Sequence, residues 1–167
     1  MKLTKRDLMI VCGALVLVMA ALCTWLYLWA VSNQKQKWGS IVCRVNVKLL
    51  SLACAEYDKE HGDTLPVSLD ELRPYLSTAL QRLKARPSED PYLKVWEDYG
   101  GRSDPFVCPL SKSRSRPAYE IVGAGKKVQD GDKSEILVIR EVESNHNRNH
   151  GYNIGYLDGR CELRGRD

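Results

Sequence analysis

The sequence has no Cys-x-x-Cys pair, so neither a zinc ribbon nor a thioredoxin-like redox motif is supported. It also lacks a Gly-x-Ser-x-Gly elbow, a phosphate-binding loop and a His-Glu-x-x-His helix. Its Ser, Lys and Asp residues fall into no nucleophile-and-base pattern, and no enzyme is expected. Internal repeats and low-complexity tracts are missing, which removes solenoids and disordered linkers. The formal charge is only +4, from 25 basic and 21 acidic residues, and the two signs are interleaved without a basic stripe. Nucleic acid is therefore not an expected partner. At 167 residues the chain holds one domain plus extra segments.

What is present begins at the N-terminus. Residues 8–31, "LMIVCGALVLVMAALCTWLYLWAV", contain no charge. A helix of that length rises about 36 Å, enough to cross a hydrocarbon core of about 30 Å with some tilt. Lys2, Lys5 and Arg6 precede it, and Trp25, Tyr27, Trp29 and Trp38 crowd its far end as an interfacial aromatic belt would. The basic excess predicts a cytoplasmic N-terminus and an external head, with membrane lipid as one partner. A cleaved signal peptide is the competing reading, and "AVS" at Ala30–Ser32 passes as a cleavage site. Signal cores run to only about 7–15 residues, however, and this stretch is far longer.

A head in an oxidising compartment gives its cysteines a structural meaning. Cys12 and Cys23 fall inside the span, leaving Cys43, Cys54, Cys108 and Cys161 as candidate disulfide partners. Residues 32–62 read as an amphipathic helix, with Val42, Val45, Leu49, Leu52 and Ala53 at three- and four-residue spacing. Gly62 is placed to end it and Pro66 to prevent its resumption. Within this helix Cys43 and Cys54 lie on nearly the same face but about 16 Å apart, so they cannot bond to each other. Each looks outward to Cys108 or Cys161, and two arrangements remain open. The short polar stretch "SNQKQKWGS" allows span and amphipathic helix to be one, with Gly39 and Ser40 as a possible kink.

Residues 63–116 read as a Pro-rich irregular region with short helices. Ser68 and Glu71 form a capping-box pattern, and Pro74 confines the first helix to about a turn. Residues 85–116 look like a long loop pinned at Cys108. In residues 117–167 the period changes to that of strands, at 118–122 and 135–140, with Asp130-Gly131 as a turn between them. The last segment is "HGYNIGYLDGRCEL", residues 150–163. With Asp158-Gly159 as a two-residue type I′ turn, Tyr156 faces Cys161 and Ile154 faces Leu163. Ile154, Tyr156, Cys161 and Leu163 would then form one apolar face packed on the amphipathic helix. The expected class is α+β: a long N-terminal helix, half in the membrane, packed on a small antiparallel sheet.

This layout resembles the type IV pilin-like proteins and type II secretion pseudopilins. It is most similar to the prepilin-like family named for a His, nine residues, then Asp-Gly. The pieces that carry the resemblance are "CRVNVKLLSLACAEYDKEHGDTLP", "FVCP", the strand pair and "HGYNIGYLDGRCEL". It implies a structural subunit whose partners are other pilin-like subunits or a secretion platform at a bacterial inner membrane, with a periplasmic head. Two departures are visible. Seven residues rather than nine separate His150 from Asp158, and Asp7 and Cys12 stand where filament members carry the cleavage Gly and a Glu. That Glu offsets a neighbouring subunit's N-terminal amine in the filament core, and an uncleaved chain has no such amine. The departures together imply an unprocessed membrane-anchored relative.

Chemical readings of the same residues compete with architectural ones. His150 and Asp158 could be a metal or catalytic pair, with His146 as third member, but His150, Asn153, Asp158 and Gly159 are read as hairpin residues. Asp130, Asp132 and Glu135 could offer oxygens to calcium, as in some major pseudopilins, yet they lack the spacing of a calcium loop. No cofactor is expected, with calcium the one alternative. A membrane-tethered ligand- or metal-binding module with the same head is the alternative function.

Overall fold

The computed structural model describes residues 5–85, 92–99, 104–110, 117–128, 133–142 and 151–165. The chain is α+β. A long helix α1 (Lys5–Glu60) is followed by a 3-10 helix (Leu69–Tyr75), α2 (Leu76–Lys84), α3 (Leu93–Tyr99) and strands β1 (Tyr119–Ile121), β2 (Leu137–Glu141), β3 (Tyr152–Tyr156) and β4 (Cys161–Arg164). Two compact units divide it, Met1–Lys37 and Trp38–Asp167.

The described residues of the first unit are helix alone. Its apolar side chains stand exposed on every side, from Met9 and Leu17 to Trp25, Leu28 and Trp29. A stretch of this helix is long and apolar enough to cross a membrane, and none of it is buried within the protein. The Thr24 hydroxyl donates to the Ala20 carbonyl at 2.8 Å and so carries no unmet donor into that surface. Gly39 and Ser40 do not interrupt α1, whose helical backbone continues to Glu60.

In the second unit, α1 is the spine of the core. Val42, Val45, Leu49, Leu52 and Ala53 are all buried, as their spacing predicts, but so are Cys43, Asn46, Val47, Leu50, Ser51 and Cys54. A stripe this wide is not a surface helix; it is a helix covered on more than one side. The sheet covers part of it, while Leu72, Ala79, Leu83, Leu93 and Trp96 join the same core from the short helices. The helix ends as expected, with Gly62 at φ +62 directly followed by Asp63 at φ +60.

The sheet is a meander in the order β1-β2-β3-β4, antiparallel throughout. Ser68 has extended backbone before the 3-10 helix but makes no side-chain cap; instead Glu71 accepts a hydrogen bond from the Val67 amide at 3.0 Å. Neither bond of the expected capping box forms, because Glu71 reaches one residue past Ser68 to the Val67 amide. The stretch read as a loop also holds a helix, α3, whose Trp96 and Leu93 are buried. Two large apolar groups outweigh the neighbouring prolines there.

The final hairpin departs from its expected register by one residue. Gly155 opposes Cys161, Ile154 opposes Glu162 and Asn153 opposes Leu163. The loop is three residues long, Leu157 to Gly159, closed by Gly159 N–H donating to the Tyr156 carbonyl and Tyr156 N–H donating to the Arg160 carbonyl, each at 2.9 Å. Gly159 has φ +89, the left-handed residue of a turn followed by a bulge. A one-residue slip exchanges the faces. Ile154 and Tyr156 therefore share a face with Glu162 and Arg160, and Leu163 is 58% exposed. The reason is visible at Gly155: a Cβ there would lie 1.9 Å from Ser51 Oγ and 2.9 Å from Val47 Cγ1. The strand meets the helix through a residue with no side chain, not through Ile154 and Tyr156.

Candidate functional site

The polar residues buried in the second unit converge on one place. α1 brings Cys43 and Asn46, residues 104–110 bring Cys108, β1 brings Tyr119, β2 brings Glu141 and β3 brings Asn153, all nearly or fully buried. Strand pairing sets Tyr119 opposite Glu141. Cys108 Sγ donates to Glu141 Oε1 at 3.6 Å, while the other oxygen accepts from the Asn153 backbone and side-chain amides at 3.1 and 2.9 Å. Asn46 is held at both ends of its amide. Its nitrogen donates to the Val107 carbonyl and the Tyr119 hydroxyl, both at 3.3 Å, and its oxygen accepts from the Trp96 indole at 2.8 Å.

One donor atom from each of Cys43, Cys108 and Glu141 lies within 4.8 Å of the others. Burial pushes the Cys43 thiol up, and its hydrogen bond with Cys108 and the nearby Glu141 push further the same way. Tyr119 is likewise driven well above its ordinary value by burial, with both thiols and Glu141 adding to the effect. Thiolate and phenolate forms are suppressed, so this cluster is not arranged as a nucleophile.

No family model, curated protein or solved structure matches the chain. The site must be read from its own geometry.

The residues singled out in the sequence fall in several places. Asn153 belongs to the buried cluster rather than to the turn. Asp158 and Gly159 sit in the hairpin loop, where Asp158 Oδ1 accepts from the Arg160 backbone N–H at 2.8 Å. Arg160 and Glu162 pair across this end, and Arg160 lies over the Tyr156 ring at 4.1 Å. Asp158, Gly159 and Arg160 also line a cleft of about 310 Å³ with Lys48, Leu52, Arg82 and Leu83. Two of its cations already have carboxylate partners: Arg82 pairs with Glu56 and Arg160 with Glu162. His150, His146, Asp130, Gly131 and Asp132 lie outside the described residues, and Glu135 is exposed.

None of the six cysteines is joined in a disulfide in the structure. Cys43 and Cys108 are brought together, Cys161 is half-buried on β4, and Cys54 is buried one turn from Asp58. Burial, and after it the Asp58 charge, raises the Cys54 thiol. Asp58 itself is fully buried; Lys133 reaches its Oδ2 at 2.7 Å, and its Oδ1 has no hydrogen-bond partner among the described residues. That bond, opposed by partial desolvation, raises the Lys133 ammonium.

Sequence reasoning missed Asn46, Trp96, Tyr119 and Glu141. A signal for Glu141 existed: in β2, Ile139 is buried, Arg140 exposed and Glu141 buried, so the acid occupies an apolar position of the alternation. Nothing in the sequence marks Asn46 as buried.

Proposed function

We propose that this chain is a membrane-anchored, pilin-like structural subunit that acts through packing of its N-terminal helix in the bilayer and contacts of its folded head. The observation that carries the reading is the double use of α1: exposed and apolar from Met9 to Trp29, then the buried spine of an α+β head from Val42 to Ala55. An element that is apolar without cover needs lipid or other helices as solvent. The basic residues before the span, Lys2, Lys5 and Arg6, favour a cytoplasmic N-terminus and hence an external head. Other pilin-like subunits or a secretion platform at a bacterial inner membrane are the partners this architecture fits. Asp7 and Cys12, where filament members carry Gly and Glu, favour a subunit that keeps its first residues.

The test is the intact mass of the chain taken from membranes of a host with a prepilin peptidase, together with the identity of co-purifying proteins. A full-length mass, at most lacking Met1, with pilin-like subunits co-purifying, is expected. A chain shortened to begin at Leu8 with an added methyl group would overturn the unprocessed reading. A chain recovered without membrane would overturn the anchor.

The Cys43–Cys108–Glu141 cluster favours a second reading, a tethered metal-binding module. A closed zinc site takes about four protein ligands, and three donors converge here.

A further inference from the structure

The buried thiols lie on segments with no other reason to meet at sulfur. Cys43 is on α1 and Cys108 is 65 positions later, in the short run from Asp104 to Leu110. Their sulfurs lie within 4.8 Å and the two side chains are hydrogen-bonded. Neither sulfur is reachable, since the residues are 0% and 2% exposed. Asn46, one turn after Cys43, fastens the same run through the Val107 carbonyl. The backbone positions are thus held independently of the sulfurs. Closing to the roughly 2.0 Å of a disulfide takes side-chain rotation and a small loop shift.

We propose that Cys43 and Cys108 are a disulfide pair whose redox state is set while the head folds and is sealed once it has folded. The proposal rests on the external placement of the head argued above, which supplies the oxidant: a disulfide-bonded thiol oxidant of that compartment. The exchange balances. One chain thiol, as thiolate, attacks a sulfur of the oxidant's disulfide, releasing one oxidant thiolate and forming a mixed disulfide. The second chain thiolate attacks the chain's own sulfur in that mixed disulfide, closing the Cys43–Cys108 bond and releasing the second oxidant thiolate. Two electrons pass to the oxidant, and its two thiolates take up the two protons the cysteines lose. The attack needs an exposed thiolate, which the open chain offers and the folded head does not. Burial likewise keeps reductant from the finished bond. Oxidation replaces the Cys108 S–H donor to Glu141 Oε1, while Asn153 keeps both its bonds to the other oxygen.

The experiment uses the full chain in detergent. It is unfolded, refolded in a glutathione redox buffer, alkylated in denaturant and digested with trypsin without reduction. The expected product joins the peptides 38–44 and 103–112; it is lost in Cys43→Ser and Cys108→Ser and retained in Cys54→Ser. In the native protein its reduction by dithiothreitol should be about a hundredfold slower than in denaturant, because access waits on opening. Linkage of Cys43 to Cys161 instead would overturn the pairing, as would a native mass carrying one zinc ion with both thiols reduced. Fast reduction of the native bond would overturn the sealing. A separate arm labels the chain in intact cells with a membrane-impermeant amine reagent. An unlabelled head there would refute the placement, whereas a failed pairing shows only in the refolding arm, so the two failures are told apart.

Discussion

At the scale of single residues, Gly155 lies against α1 at a position where no side chain fits beside Ser51. Ser51 Oγ is buried with no hydrogen-bond partner among the described residues, and it occupies the space that a side chain at 155 would need. A buried hydroxyl without a partner is a standing cost, so Ser51→Ala should leave stability unchanged or raise it by up to about 1 kcal/mol. Gly155→Ala should cost about 1–3 kcal/mol, because the added methyl meets Ser51 and Val47 of α1 at once. Combining the two should recover part of that loss, since the shortest contact is to the atom Ser51→Ala removes. Urea titrations of the four chains in detergent measure it; additive losses would mean that the strand yields elsewhere.

Among elements, α1 and α2 are tied by charge as well as by packing. Glu56 accepts from Arg82 at 2.9 Å and Lys59 at 3.0 Å. Burial alone would push its carboxyl up, but the two cations outweigh that and hold it below its ordinary value. A group depressed in the folded state adds stability above its unfolded value, and that stability fades as pH falls through the folded one. The head should therefore lose stability as pH drops below about 4.5, and Glu56→Gln should flatten that part of the profile. An unchanged acid limb would show that these cations do not hold Glu56. The proposed Cys43–Cys108 bond would tie α1 to a second segment. Chain entropy for a loop of that size gives about 4 kcal/mol, so the oxidised chain should unfold at clearly higher urea than the same chain unfolded with reductant present.

For the whole molecule, the decisive property is that one helix is apolar and exposed from Met9 to Trp29 and buried from Val42 to Ala55. An arginine at the centre of a spanning helix costs about 3 kcal/mol on insertion. Leu17→Arg should therefore lower the membrane-integrated fraction in carbonate-washed membranes. Leu163→Arg, at an exposed head position, should not. Equal partitioning of both variants would remove the span from consideration.

Much of this fold was legible in the residues themselves. The uncharged run before Ser32, the three- and four-residue spacing after Gly39, the stop at Gly62 and the change of period after Pro117 are local patterns, and local patterns report helix, strand and class. The hairpin's existence was legible too, but its register was not. Asp-Gly fits both a two-residue and a three-residue loop, and the choice fell to Leu157, whose burial in the core draws it into the loop, and to the space that Ser51 leaves only for Gly155. The candidate site was least legible: Cys43 with Cys108 was one of two open pairings, Glu141 showed only as an acid at an apolar position of the β2 alternation, and Asn46 and Tyr119 were not singled out. Composition and periodicity alone determined the long apolar helix and the α+β class, because those depend on neighbours a few residues away. Which cysteines meet, which acid is buried and which strand face touches the helix depend on residues dozens of positions apart, and only tertiary packing decided them.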